Sequence, residues 1–99
     1  MKILTKMIEE INAKKSCEID FLKLKSGNYR MEWFRDGDIL QIYYFDNLVC
    51  EIDYYRKTKI LDNCGWEKYA STTRILNFLD KYFYNFKLIK WNGLDIYDN

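Results

Sequence analysis

The stretch YRMEWFRDGDILQIYYFDNLVCEIDY, residues 29–54, indicates a β-sheet because its apolar and polar side chains alternate around two short turns. Alternation with a period of two is typical of strands that bury one face. The dipeptide Asp36-Gly37 indicates a hairpin, since glycine readily adopts the positive φ that a tight turn requires. We therefore expect strands over 29–35 and 39–45 to pair antiparallel.

Helical periodicity flanks this central stretch. Residues 2–14 and 72–84 place apolar side chains three and four positions apart, and the hydroxyl of Ser71 is expected to cap the second helix. Further alternating segments predict strands over 17–25, with a β-bulge near Phe21, and over 48–54, 60–61 and 87–91. The chain is therefore predicted to be a single α+β domain over residues 1–99, an antiparallel β-meander of about five to six strands packed against an N-terminal and a C-terminal α-helix.

The charge balance argues against a partner that is recognised by net charge alone. The chain has 16 Lys and Arg against 15 Asp and Glu, a net charge of +1, so any nucleic-acid or membrane-surface site must be a local patch. No segment holds the roughly 18 to 20 apolar residues that a membrane helix requires. The three cysteines form no CxxC pair, which argues against a disulfide framework. We expect a cytoplasmic protein with no membrane partner.

Catalytic groups are scarce, because the absence of histidine excludes Ser-His-Asp and Cys-His catalysis and all imidazole metal ligands. Glu51 and Asp53 are spaced to hold Mg²⁺, or they form the polar face of an amphipathic strand, which we favour. Cys64 has no histidine to activate it, and Cys17, Cys50 and Cys64 lack the paired spacing of a zinc knuckle. We expect no enzyme activity, no catalytic residue, no metal and no cofactor.

The basic and aromatic run YYRKTK, residues 54–59, is the main candidate for nucleic-acid binding. Its aromatic rings can stack on bases while its cations neutralise phosphates, although a solvated hairpin tip explains the same run. Lys87, Lys90 and Trp91 form a second candidate of this kind. The alternative hypothesis is therefore a small nucleic-acid-binding module that uses Tyr54, Tyr55, Arg56 and Lys57 with Lys87 and Trp91.

Aromatic residues are in excess, with 9 Tyr, 6 Phe and 3 Trp. Tyr and Trp dominate the energetic centres of protein interfaces, so a surplus at the surface favours a binding protein. We predict a partner-binding surface at Trp66, Tyr69 and Arg74, with Tyr55 and Arg56 as the next candidates. Trp66 fits a core position beneath the second helix equally well.

Two acids at the hairpin tip are further partner-binding candidates. Asp36 and Asp38 flank Gly37, where aspartates are ordinary turn residues. They are also able to imitate phosphates toward the arginines of a nucleic-acid-binding groove. A small protein that blocks such a groove would present acids of this kind.

The motif Asn63-Cys64-Gly65-Trp66, followed by Ser71-Thr72-Thr73-Arg74 and Asn77, resembles a diffuse group of small, mostly uncharacterised phage and mobile-element proteins. In that group a β-meander precedes a Cys-Gly-Trp or Gly-Trp turn, a Thr-Thr pair and a helix bearing Arg and Asn. The resemblance implies a cytoplasmic protein made during infection or carried by an integrated element. Such proteins often bind and disable host machinery. The leading hypothesis is a non-catalytic inhibitor of a host protein, an anti-CRISPR or other anti-defence protein acting on a CRISPR nuclease or its nucleic-acid complex.

Overall fold

The structure, a computed structural model, describes residues 1–65 and 69–96. In this part of the chain two α-helices and seven β-strands follow one another. They are α1 (Lys2–Lys14), β1 (Phe21–Ser26), β2 (Tyr29–Phe34), β3 (Ile39–Tyr44), β4 (Asn47–Asp53), β5 (Thr58–Leu61), α2 (Ala70–Tyr82), β6 (Lys87–Trp91) and β7 (Leu94–Asp95). Neither of these helices is long and apolar enough to cross a membrane.

The strands form one sheet whose spatial order is also their order along the chain, from β1 to β7. Neighbours pair antiparallel except β5 and β6, which pair in parallel because α2 returns the chain to the end of the sheet where β5 began. The prediction of an α+β fold with a mostly antiparallel sheet and two helices is confirmed. The described sheet has more strands than expected, because residues 94–95 turn back and pair with β6.

Turns with left-handed backbone connect the strands. The predicted central hairpin is confirmed, since β2 and β3 pair antiparallel along their full lengths and Gly37 takes a φ of +83° between them. The next turn places Phe45 and Asp46 at φ 49° and 62°, as a two-residue hairpin with strand-matching twist requires. Aspartate tolerates this conformation well, whereas phenylalanine rarely adopts it.

Both helices pack on the same face of the sheet and share one hydrophobic core with it. The buried apolar residues are Leu4, Met7, Ile8, Ile11, Met31, Trp33, Leu40, Ile42, Val49, Cys50, Ile52, Leu61, Ile75, Leu76, Leu79 and Phe83. Truncating a leucine in such a core to alanine costs about 2–5 kcal/mol. The strands direct their alternate side chains to the opposite face, which the two helices leave open.

The second helix begins two residues earlier than predicted, at Ala70, and ends at Tyr82. Ser71 lies inside the helix, and no side chain makes a capping hydrogen bond at its start. The prediction that Ser71 caps this helix is therefore wrong. Tertiary packing explains the earlier start, because Thr72 is buried on the same helix face as Ile75 and must already be helical to point there.

The first strand begins at Phe21, so the prediction of strand over residues 17–20 is wrong. The guanidinium of Arg35 donates hydrogen bonds to the carbonyls of Lys15, Cys17 and Ile19. These bonds hold the segment after α1 in a bent conformation that cannot continue the strand.

The predicted β-bulge near Phe21 is also wrong, because β1 and β2 pair in regular register. Register shifts lie elsewhere in the described sheet, between β3 and β4 at Ile42 and Tyr43 and between β5 and β6 at Lys59 and Ile60. The change of phase in the sequence near Phe21 reflects the transition from the bent segment into β1.

Candidate interaction surface

Three connections meet at one end of the sheet, which we call the tyrosine end. They are the β2–β3 turn (residues 35–38), the β4–β5 turn (54–57) and the loop between α2 and β6 (83–86). The opposite end holds the turns at 27–28 and 45–46 and the start of α2. The strand directions alone impose this division.

Two tyrosines stand out from the tyrosine end. Tyr55 is 85% exposed and Tyr84 is 81% exposed. The side chain of Arg56 is 78% exposed beside Tyr55, and Lys57 is exposed as well. Aromatic rings with a neighbouring arginine are the residues most enriched at the centres of protein interfaces.

Backbone hydrogen bonds tie these connections to one another. The amide of Tyr54 donates to the carbonyl of Asp38 over 3.1 Å, which joins the β4–β5 turn to the β2–β3 turn. The amide of Lys87 donates to the carbonyl of Lys57 over 2.9 Å, which joins the β4–β5 turn to the start of β6. Within the β4–β5 turn, an oxygen of Asp53 accepts from the amide of Arg56 over 2.8 Å. The exposed side chains are therefore carried by a firmly held backbone.

The ring of Tyr54 packs against the core beneath the turns of the tyrosine end. Its centroid lies 5.7 Å from that of Phe86 and 6.3 Å from that of Phe83, both in edge-on geometry, and Lys15 Nζ lies 3.5 Å from it. The hydroxyl is buried without a hydrogen-bond partner in the described part of the chain. Burial, with a smaller effect from the Asp38 carboxylate, raises the pKa of Tyr54. Tyr54 is therefore a supporting residue, and its ring is not available to stack on a base.

The two hairpin acids differ in environment. The Oδ1 atom of Asp38 accepts from the indole N–H of Trp33 over 2.7 Å and from Lys15 Nζ over 3.0 Å. Asp36 is exposed at the same tip. The contacts of Asp38 favour the interpretation as a structural turn residue, whereas Asp36 has no such contact among the described residues.

Lys59 is not exposed with the other cations of the predicted basic run. Because β5 begins at Thr58, the Lys59 side chain points into the protein. Lys59 is 4% exposed, and its ammonium donates to the carbonyls of Asp80 and Phe83 over 2.8 and 2.9 Å. The Asp80 carboxylate lies 2.7 Å away. The ammonium thus caps the carboxyl end of α2. The expectation that residues 54–59 form one exposed basic turn is wrong at this position.

The residues first proposed for partner binding do not lie with Tyr55 and Arg56. Tyr69 is 61% exposed and Arg74 is exposed, but both lie near the start of α2, at the opposite end from the β4–β5 turn. A helix of this length separates its two ends by about 18 Å. Trp66 lies outside the described residues.

The second basic candidate is also divided. Lys87 lies at the tyrosine end, at the start of β6, whereas Trp91 lies at the other end of that strand and packs against the core. Lys90 lies 3.8 Å from the carboxylate of Asp95. Of the proposed nucleic-acid set, the structure brings Tyr55, Arg56, Lys57 and Lys87 together.

The residues considered for catalysis have structural contacts. Glu51 accepts a hydrogen bond from Gln41 over 3.2 Å. The thiol of Cys64 donates to the carbonyl of Leu48 over 3.2 Å, and burial, with a smaller effect from Asp62, raises its pKa, which is opposite to what a nucleophile requires. Among residues 1–65 and 69–96 no three His, Cys, Asp or Glu side chains are placed to hold a metal ion.

Tyr84 was missed because the second helix was predicted to include it. The helix ends at Tyr82, and Phe83 leaves helical geometry with ψ +47°, which frees the next residue to point outward. The helical spacing of the apolar residues in the sequence could have indicated this. Leu79 and Phe83 are the last buried residues on the core-facing side of α2, and Tyr84 does not lie on that side.

No family model, no curated protein and no solved structure matches this chain.

Proposed function

We propose that this chain is a non-catalytic protein that binds a host protein through its tyrosine end and inhibits it by covering part of its surface. The observation that carries the proposal is the pair of tyrosines, Tyr55 and Tyr84, each more than four-fifths exposed at the same end of the sheet. Water-exposed aromatic rings gain binding energy when a partner covers them.

The rigidity of this end supports the proposal. Ordering a flexible loop during binding costs free energy that reduces affinity. Here the β4–β5 turn is bonded on one side to Asp38 and on the other to Lys87. Tyr55 and Arg56 are therefore presented on a backbone that needs little further ordering.

The proposed partner follows from the resemblance to small phage and mobile-element proteins. The inhibitor would act in the cytoplasm of the infected cell, on a component of host defence such as a CRISPR nuclease or its nucleic-acid complex. Arg56 and Lys57 favour an acidic rim on the partner's surface.

The test captures partners of the tagged, full-length protein from nuclease-treated bacterial lysate at moderate salt, with identification by mass spectrometry. We expect one dominant protein, whose activity falls when the chain is added in stoichiometric amount. The double variant Tyr55→Ala/Tyr84→Ala should lose this partner. The matched control is Tyr69→Ala, which removes an exposed tyrosine from the opposite end and should retain it. Loss with Tyr69→Ala alone would instead locate binding at the start of α2.

A nucleic-acid-binding module is the second candidate, favoured by the basic residues beside the exposed tyrosines. Arg56 and Lys57 adjoin Tyr55, and Lys87 is joined to Lys57 through the backbone. Binding to single strands would weaken steeply as salt rises, because counterions are released from phosphates. Arg56→Ala/Lys57→Ala should reduce both affinity and salt slope. The measurement is fluorescence anisotropy with a labelled single strand. If the variant bound this strand as tightly as the parent protein does, nucleic-acid binding through this turn would be rejected.

A further inference from the structure

The first strand of the described sheet has a neighbouring strand on one side. Within residues 1–65 and 69–96, β1 pairs with β2 alone, and it is six residues long, whereas the strand at the other edge, β7, has two. A long edge strand offers a row of backbone donors and acceptors to another chain. The β1 edge is therefore the larger of the two described sites where a strand could add to this sheet.

The ladder defines which backbone groups point outward from this edge. Asp20 accepts a hydrogen bond from the amide of Arg35 over 2.9 Å, so these two residues form a bonded pair at the start of the hairpin. Bonded and non-bonded pairs alternate along antiparallel strands. The N–H and C=O groups of Phe21, Lys23 and Lys25 consequently face away from β2.

The side chains of these same three residues lie on the open face of the sheet. Phe21, Lys23 and Lys25 are exposed, and the rings of Phe21 and Phe34 lie 5.1 Å apart. Leu22 and Leu24 point to the other face and pack against the core. The edge therefore presents two cations and an aromatic ring on one face and two aliphatic side chains on the other.

Neither lysine is neutralised within the described part of the chain. Lys23 lies opposite Glu32 and Lys25 opposite Arg30. The Arg30 Nε atom lies 3.0 Å from the Glu32 carboxylate, and Arg30 also pairs with Asp46. The carboxylate opposite Lys23 is thus engaged by Arg30, and the two lysines keep their positive charge available.

A second copy of the chain is a poor occupant of this edge. Antiparallel pairing of β1 with itself, in the two face-matching registers of greatest overlap, would place Lys23 opposite Lys23 or Lys25 of the other copy. Like charges directly opposite each other destabilise a sheet. The β1 edge therefore disfavours pairing with β1 of a second copy and favours pairing with an acidic strand.

We propose that the β1 edge binds an extended, acidic segment of a partner protein by β-strand addition. The segment would run antiparallel to β1. From its amino end it would have an acidic, an apolar, an acidic, an apolar and an aromatic residue. Its acids would lie opposite Lys25 and Lys23, and its aromatic ring would lie beside Phe21. The intervening apolar residues would contact Leu22 and Leu24. This surface begins beside the β2–β3 turn but includes neither Tyr55 nor Tyr84, and the proposal does not depend on the function proposed above.

The test uses the ¹⁵N-labelled full-length protein and three peptides. The first peptide is Glu-Val-Glu-Val-Phe with blocked termini, the second has Lys in place of each Glu, and the third is the first with its backbone amides methylated. The readouts are amide shifts and hydrogen exchange. We expect the acidic peptide to slow exchange at Phe21, Lys23 and Lys25 and to bind about tenfold more tightly than the basic one. The methylated peptide should not bind, because strand addition needs its N–H groups.

Variants complete the design. Lys23→Glu/Lys25→Glu should reverse the preference between the acidic and basic peptides. The matched control, Lys6→Glu/Lys81→Glu, makes the same change in net charge at two exposed helix positions and should preserve the original preference. Unchanged exchange at the three edge amides, or equal binding of the acidic and basic peptides, would overturn the proposal, whatever the outcome of the capture experiment with the tyrosine variants.

Discussion

The indole N–H of Trp33 donates to the Oδ1 atom of Asp38 over 2.7 Å, and the same oxygen accepts from Lys15 Nζ. Trp33 is 2% exposed, so its polar atom depends on this single carboxylate. Asp38 also takes a φ of +54°, which aspartate tolerates better than most residues. The β2–β3 turn is thereby connected to the core.

Asp38→Ala should therefore destabilise the protein by about 2–3 kcal/mol, because it leaves a buried N–H without an acceptor and strains the turn. The matched control is Asp36→Ala, at the exposed neighbouring acid, which should change stability by less than about 0.5 kcal/mol. Urea unfolding measures both. Equal stability of the two variants would show that Asp38 is not a structural residue.

Lys59→Met should destabilise the protein by about 2 kcal/mol or more, because methionine fills the space but leaves the last carbonyls of α2 without their donor. Asp80→Asn should cost less, since the Asp80 side chain is 46% exposed and its partner retains both carbonyl bonds. The midpoint of urea unfolding is again the measurement. A larger loss for Asp80→Asn than for Lys59→Met would mean that the charge pair, and not the helix cap, stabilises this contact.

Alkaline pH should destabilise the fold through Tyr54. Burial raises the pKa of Tyr54, so the folded state retains this proton when the unfolded chain releases it at about pH 10. The stabilisation is complete below that pH and is lost progressively as pH rises from it toward the higher pKa of the folded state. We expect the urea midpoint to begin to fall at about pH 10 and to keep falling as the pH is raised further. The urea midpoint of Tyr54→Phe should fall less steeply with pH. The control Tyr55→Phe changes an exposed ring, and its midpoint should follow that of the parent protein.

The three thiols should differ in reactivity toward an aromatic disulfide reagent. Cys17 is exposed, Cys64 is partly buried and Cys50 is 1% exposed. We expect Cys17 to react first, Cys64 slowly because its pKa is raised, and Cys50 only on unfolding. Cys17→Ser should remove the fast phase. A fast phase that instead disappears with Cys64→Ser would revive a nucleophilic role for that residue.

The parts of the fold that could be predicted are those controlled by local pattern. The hairpin could be predicted from two local rules: glycine in Asp36-Gly37 readily takes a positive φ, and the strands on either side alternate with a period of two. The stripes of α1 and α2 required only helical spacing. The boundaries were less accurate, because Thr72 is drawn into α2 by burial and Arg35 bends the segment before Phe21, and neither effect is local.

The candidate site was harder to predict, because it depends on where separate segments meet. Tyr55 and Arg56 were named from the sequence, and the structure exposes them. Tyr69 and Arg74 lie at the opposite end because α2 runs back along the sheet, a direction that no spacing in the sequence reveals. Lys59 was misassigned because a lysine in a basic run gives no sign that it will cap a helix about 20 residues later.

The order of the strands also has a consequence for how the protein folds. From β1 to β5 each strand follows its partner after a turn of two or four residues, whereas the link from β5 to β6 spans residues 62–86. Short closures cost less entropy and form sooner. We expect β1–β5 to form first and α2 with β6 to dock last, so that amides of β6 exchange with solvent at lower free energy than those of β2 and β3. The tyrosine end is then completed only in the last step, since Tyr55 belongs to the early segment and Tyr84 to the late one.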